Sequence, residues 1–226
     1  MSLQIGLLLY PTLTQLDLTG PFEVFSRIPD AKVHLIWKDL EPITSDTGLQ
    51  LLPTTKMSDC PTLDVICVPG GPGQIDFMDD AEVLDFLRAQ GATAKFVTSV
   101  CTGSLLLGAA GLLKGYKAST YWACTQMLAG YGAIYEKGRV VKDRNRITGG
   151  GVTAGIDFAL TVVAELLGER AAKMIQLSIE YNPAPPFNSG HPDVADPEIV
   201  ETLESLMKAR LQARLTQSEE ASRSLG

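Results

Sequence analysis

Between Lys95 and Ser104 the chain reads Lys-Phe-Val-Thr-Ser-Val-Cys-Thr-Gly-Ser, an apolar run of strand length set directly against an Ala/Leu/Gly-rich helical stretch, with no loop between them. A strand that turns into a helix within two residues is a building block of a parallel sheet covered by helices. The same alternation recurs along the chain. Ile5 to Tyr10, Val33 to Trp37 and Asp64 to Val68 are short apolar runs ended by turn signals, and they predict three more buried strands. A helix is expected to start near Thr19-Gly20-Pro21, with Thr19 as cap and Pro21 in the first turn. Ile43 to Thr55, with Asp46-Thr47-Gly48 at its middle, predicts a hairpin. Apolar spacing predicts helices over Asp79 to Gln90, from Thr102 to Leu113, over Trp122 to Ala129, Thr153 to Leu167 and Glu169 to Tyr181. A last amphipathic helix is expected from Pro197 to about Glu220, with Ile199, Leu203, Leu206 and Leu211 on one side and a frayed end over the final six residues. Lys117 to Thr120, Val140 to Asp143 and Arg146 to Thr148 predict further strands. The pattern implies an α/β fold, a three-layer sandwich around a mostly parallel sheet, with all 226 residues in one domain.

Composition removes several functional classes. A chain of this length that is 45% apolar buries a core without disulfides or metals. Lys and Arg number 19 against 26 Asp and Glu, a net charge of −7, which lacks the basic footprint of a nucleic-acid binder. The first apolar run is too short to span a bilayer and lacks a basic leader segment, so a cytoplasmic protein without a membrane partner is expected. The four cysteines, Cys60, Cys67, Cys101 and Cys124, are scattered without C-x-x-C spacing and read as free thiols in a reducing compartment. With only two histidines, His34 in a strand and His191 in a Pro-rich loop, neither a His-metal site nor a Ser-His pair is expected unless His191 folds back. No P-loop and no G-x-G-x-x-G follows a strand, so nucleotide binding is unsupported and no cofactor is expected.

In open α/β sheets, ligands bind beyond the carboxyl ends of the strands. Cys101 sits there, on the turn between Val100 and Thr102-Gly103, where an elbow lifts a side chain above the sheet. A helix N-terminus beside it is expected to lower the thiol pKa from about 8.5, and free N–H groups there can hold an oxyanion. On position alone, a buried structural cysteine is the alternative. Gly70 and Gly71, after the third strand, are candidate oxyanion donors, since glycine permits close approach; simple turn chemistry is the alternative. Asp17, between Leu16 and Leu18, is a candidate general acid in an apolar setting, or else a helix-capping residue. Gly149-Gly150-Gly151 leads into a helix.

Taken together, Asp17-Leu18-Thr19-Gly20-Pro21, Val68-Pro69-Gly70-Gly71, Val97 to Gly103 and Thr148 to Asp157 resemble the ThiJ/PfpI group of the class I glutamine amidotransferase-like superfamily, and within it the isocyanide hydratases. The likeness runs from the first strand to Asn188. It implies a flavodoxin-like sheet, a homodimer, no cofactor, and hydration of a small isocyanide to an N-substituted formamide. By position it implies Cys101 as nucleophile and Asp17 as proton donor and acceptor. Gly71 and Thr102 would line the adjacent polar pocket, and Gly150 and Val152 would form its wall. Relatives commonly have Thr-His-Trp where this chain has Thr120-Tyr121-Trp122, so Tyr121 replaces the histidine of a Cys-His pair and counts against amidase chemistry. Two other readings remain: a glyoxalase- or deglycase-like enzyme on reactive carbonyls, and a cysteine-based redox or ligand sensor, such as the N-terminal domains of some AraC-type regulators.

Overall fold

A computed structural model describes residues 2–223. Its strands and helices follow in the order β1 (Gln4–Leu8), α1 (Gln15–Phe25), β2 (Lys32–Trp37), β3 (Ile43–Thr44), β4 (Gln50–Leu51), β5 (Thr55–Lys56), β6 (Val65–Val68), α2 (Ala81–Thr93), β7 (Phe96–Val100), α3 (Gly103–Ala109), β8 (Lys117–Ala118), β9 (Ile134–Tyr135), β10 (Val140–Asp143), β11 (Arg146–Gly149), α4 (Ala154–Leu167), α5 (Glu169–Ser178) and α6 (Pro197–Arg223). Seven strands form the main sheet in the order β10-β11-β7-β6-β1-β2-β5. Every pairing in it is parallel except β10 with β11. The expected α/β class, with a mostly parallel sheet, is what the chain adopts.

The topology locates a crevice. From β1 the chain crosses to β2 on one side, whereas from β6 it crosses to β7 on the other. Right-handed crossovers in opposite directions place α1 and α2 on opposite faces of the sheet. The α4 helix packs on α1 and α5 on α4, while α2 packs on α3, with α6 laid over α3 and the 3-10 segment Trp122–Tyr131. The segments after β1, β6 and β7 therefore meet where the strand order reverses. Both neighbours of the crevice, β1 and β6, are almost wholly buried, which is why they read as continuous apolar runs rather than alternating ones.

Several expected boundaries shift for identifiable reasons. The first helix begins at Gln15, and Pro21 lies inside it. Pro21 there packs against Gly155 of α4, where an added Cβ would come within 3.0 Å of the proline ring, so tertiary contact outweighs the usual preference of proline for a first turn. The α3 helix stops at Ala109 instead of Leu113, because Gly108 lies under the Tyr131 ring and Gly111 takes a left-handed φ of 77°. The segment from Trp122 is a 3-10 helix rather than an α-helix. In α6 the expected apolar side is exposed at Ile199, Leu203 and Leu206, and the buried face is instead Met207, Arg214, Ser218 and Ala221. The same helix continues through residues 221–223 without the expected fraying, and residues 224–226 lie outside the described residues.

Candidate active site

The β7–α3 turn presents Cys101 at the sheet's carboxyl edge. Its φ is +56°, a left-handed conformation that few residues with a side chain adopt, and it persists only where the surroundings hold it. Those surroundings are dense. The Cys101 N–H is shared between the carbonyls of Gly149 at 3.1 Å and Gly150 at 2.7 Å, and its own carbonyl accepts the Thr120 Oγ1 hydroxyl at 3.0 Å. Gly103 makes the bend feasible: a Cβ there would lie 2.1 Å from the Val68 carbonyl oxygen. Gly103→Ala is therefore expected to destabilise the protein by about 3 kcal/mol, measured by urea unfolding, since the clash is with backbone and cannot relax by a rotamer change.

Asp17 lies in the first turn of α1 and is wholly buried. Its Oδ2 accepts the Gly70 N–H at 2.9 Å. Its Oδ1 has no hydrogen-bond partner among the described residues, and the Cys101 thiol is close enough to favour the ionised carboxyl. Burial pushes Asp17 up to about 7, with the Asp46 charge adding to the rise and the bonds from Gly70 and Cys101 opposing it. This carboxyl can thus both accept and release a proton near neutrality.

The thiol departs from expectation. Burial pushes Cys101 well above the ordinary thiol range, the Asp17 charge raises it further, and the Thr102 N–H and Arg214 pull it down less strongly. A seven-residue helix does not offset a side chain only 6% exposed beside a carboxyl. At neutral pH Cys101 is a thiol with a proton acceptor beside it, rather than a standing thiolate.

The oxyanion assignment changes too. Neither Gly70 nor Gly71 has a free N–H, because Gly70 donates to Asp17 and Gly71 to Thr102 Oγ1 at 3.1 Å. Those donors hold the acid and Thr102 in place. The donor that faces the thiol is the Thr102 N–H. Gly71 has φ +146°, so a side chain there would be strained as well as crowded against Leu13 and Thr14.

A cleft of about 220 Å³ opens above Cys101. Thr14, Gly71 and Thr102 line it together with Tyr121, Val152 and, from α6, Met207 and Leu211. Gly150 does not line it. Its carbonyl holds the Cys101 backbone, and it faces instead a neighbouring cleft of about 490 Å³ that shares Tyr121 and Val152 and contains His191. His191 lies there beside Asp193 and is not among the residues lining the Cys101 cleft, and His34 is buried with both ring nitrogens engaged, by Gln4 and Thr55. Tyr121 is half-buried and its hydroxyl meets Met207 Sδ at 3.6 Å. Cys67 and Cys124 are buried and Cys60 partly so, all unpaired.

Three charged residues of the cleft escaped the sequence reading. Asp46 looked like turn chemistry, but the hairpin carries it to the cleft, where it accepts Thr14 Oγ1 at 2.8 Å. Arg210 and Arg214 arrive on α6, over a hundred residues from Cys101 in sequence. The one local signal is that Met207, Arg214, Ser218 and Ala221 share a helical face, with an arginine in an otherwise small or apolar stripe.

No helix among the described residues is long and apolar enough to cross a membrane. The sequence model of the DJ-1/PfpI family matches residues 4–165. The isonitrile hydratase of Pseudomonas putida is 56% identical over 225 residues, covering 100% of this chain and 99% of that one. The crystal structure of a THiJ/PfpI family protein from Pseudomonas syringae superposes with a TM-score of 0.94 at 46% identity, over 96% of this chain and 91% of that one. The HTH-type transcriptional regulator GbdR of Pseudomonas aeruginosa is 30% identical over 185 residues, which are 78% of this chain but 50% of the regulator. With the family's sequence model matched over most of its length and the whole-length likeness at 56% identity, the chain belongs to the DJ-1/PfpI family.

Proposed function

We propose that this protein is an isocyanide hydratase, a lyase joining an isocyanide, R–N≡C, and water into a formamide, R–NH–CHO. The observation that carries the reading is a Cys101 thiol that lines a small cleft with the buried Asp17 carboxyl, pushed up to about 7, beside it. The whole-length likeness to an isonitrile hydratase, the same substrate class under another name, supports it. The Cys101 sulfur adds to the terminal isocyanide carbon as Asp17 takes the thiol proton. Asp17 then delivers that proton to the same carbon, giving a thioformimidate, R–N=CH–S–Cys101. Water adds its oxygen to that carbon, and its first proton passes through Asp17 to nitrogen. The carbon–sulfur bond breaks as the remaining hydroxyl proton returns to sulfur, releasing the formamide and restoring the thiol. Covalent catalysis here splits one difficult addition into two easier steps. Thr102 N–H steadies the sulfur, while Val152, Met207 and Leu211 receive the hydrocarbon group R.

Purified protein supplied with cyclohexyl isocyanide in oxygen-18 water is expected to form labelled N-cyclohexylformamide, read by mass spectrometry. No formamide above the protein-free rate would overturn the reading. Lactate from methylglyoxal formed faster than formamide would install the glyoxalase-like alternative, which lacks a histidine beside the thiol. A homodimer in the cytoplasm is part of the proposal. The exposed Leu167, Met174 and Leu177 on α4 and α5 are apolar surface of the kind a subunit contact covers, and the four unpaired cysteines suit a reducing compartment.

A further inference from the structure

Arg214 is only 4% exposed, yet among the described residues no carboxylate is hydrogen-bonded or ion-paired to it. Its Nη2 donates to the Gly71 carbonyl at 3.0 Å, its Nε to Gln74 Oε1 at 3.0 Å, and its Nη1 lies 3.8 Å from Cys124 Sγ. A buried guanidinium held only by neutral acceptors is costly unless a negative charge is near for part of the time. Beyond the Cys124 thiol, the groups able to supply one are those of the Cys101 cleft, which Arg214 lines.

We propose that Arg214 is a positioning residue for the reaction: the buried counter-charge for the single negative charge that moves between Asp17 and Cys101, and the clamp that fixes Gly71 and, through it, Thr102. The inference rests on the proposed function only in taking Cys101 as the reacting thiol. Whether the sulfur or the carboxyl holds the proton, the pair carries one negative charge during attack, and a cation in the same low-dielectric pocket makes the site neutral overall. Without it, the pair retains both protons to higher pH.

The groups facing Cys101 leave this task to Arg214. Asp17 from α1 and Asp46 from the hairpin are acidic; Tyr10 after β1, Tyr121 after β8, and Cys124 are neutral; Arg210 and Arg214 on α6 are the cations. Arg210 is exposed and screened by water, whereas Arg214 is not. The guanidinium also pulls down the pKa values of Cys101, Tyr10 and Cys124. Residue 214 lies outside residues 4–165, the segment matched by the family's sequence model. The charge is therefore brought to the family's Cys–Asp crevice by the C-terminal helix.

The test compares Arg214→Gln, Arg214→Lys and the surface control Lys208→Gln, each checked for fold by circular dichroism. Two curves are recorded: the pH dependence of iodoacetamide alkylation at Cys101, resolved from Cys60 by peptide mass spectrometry, and the pH dependence of kcat/KM for formamide formation. Arg214→Gln is expected to move both midpoints up by about one unit, slowing alkylation at pH 7 about tenfold. Arg214→Lys is expected to keep the midpoints near wild type but to lower kcat, because an ammonium keeps the charge and loses the two-pronged clamp. Lys208→Gln should match wild type in both curves. Unmoved midpoints in folded Arg214→Gln would overturn the proposal, as would a midpoint in Arg214→Lys shifted by a full unit, which remains decisive if the Gln variant does not fold. Should wild type form no formamide, the alkylation curves still decide the role of Arg214, so the two readings fail separately.

Discussion

Cys101→Ala is expected to fold with the unfolding midpoint of wild type and to form formamide at least about 10⁴-fold more slowly, because the step that captures the isocyanide carbon loses its nucleophile. The buried thiol contributes little to the fold. Its N–H and C=O, not its sulfur, make the hydrogen bonds that hold the left-handed turn, and alanine retains both. Cys101→Ser separates nucleophilicity from shape: the hydroxyl fits the same space but attacks weakly, so activity falls nearly as far. In wild type, quenching with acid during turnover should leave a fraction of chains heavier by the mass of one isocyanide, located to Cys101 by peptide mapping. Full activity in Cys101→Ala would remove covalent catalysis from the mechanism and leave Asp17 to activate water directly.

What the sequence disclosed about this site depended on whether the signal was local. Cys101 was legible because an apolar strand run meets Thr102-Gly103 without a loop, and Gly103 is where the Val68 carbonyl leaves no room for a Cβ. Asp17 was found by its place after the first strand, although Pro21 misdirected the start of its helix; the contact with Gly155 that overrides the proline lies more than a hundred residues away. Gly70 and Gly71 were recognised as close-approach positions but given the wrong task, since a glycine pattern does not tell which way an N–H points. The thiol's acidity was misjudged for a related reason: helix position is local, whereas burial under α6 and beside Asp17 is tertiary. Arg214 had almost no local signal, because a single arginine on a long charged helix ordinarily faces water.

Asp17→Asn is expected to make the protein slower and, above neutrality, more stable. The asparagine keeps an oxygen for the Gly70 N–H but can neither take the Cys101 proton nor deliver it to carbon, so kcat/KM falls by about 10² to 10⁴. The wild-type profile should have an acid limb near pH 7, where Asp17 titrates, dropping about tenfold per unit below it, and the variant should lack that limb. Stability runs the opposite way. The folded-state pKa of about 7 lies above the ordinary value of 3.8, so between those two values the folded protein keeps a proton that the unfolded chain releases. The stabilisation is complete below the unfolded pKa and is lost as pH rises through the folded one, an effect of roughly 4 kcal/mol in all by linkage. Asp17→Asn carries no charge to bury, so it should lose far less stability than wild type between pH 4 and 8, read by urea unfolding across that range. A wild-type stability curve that rises over this interval, with the variant parallel to it, would mean that Asp17 is ionised and satisfied in the folded state and is not the site's proton carrier. A carboxyl that costs stability at the pH where it works is the exchange expected of a group kept for chemistry rather than for folding.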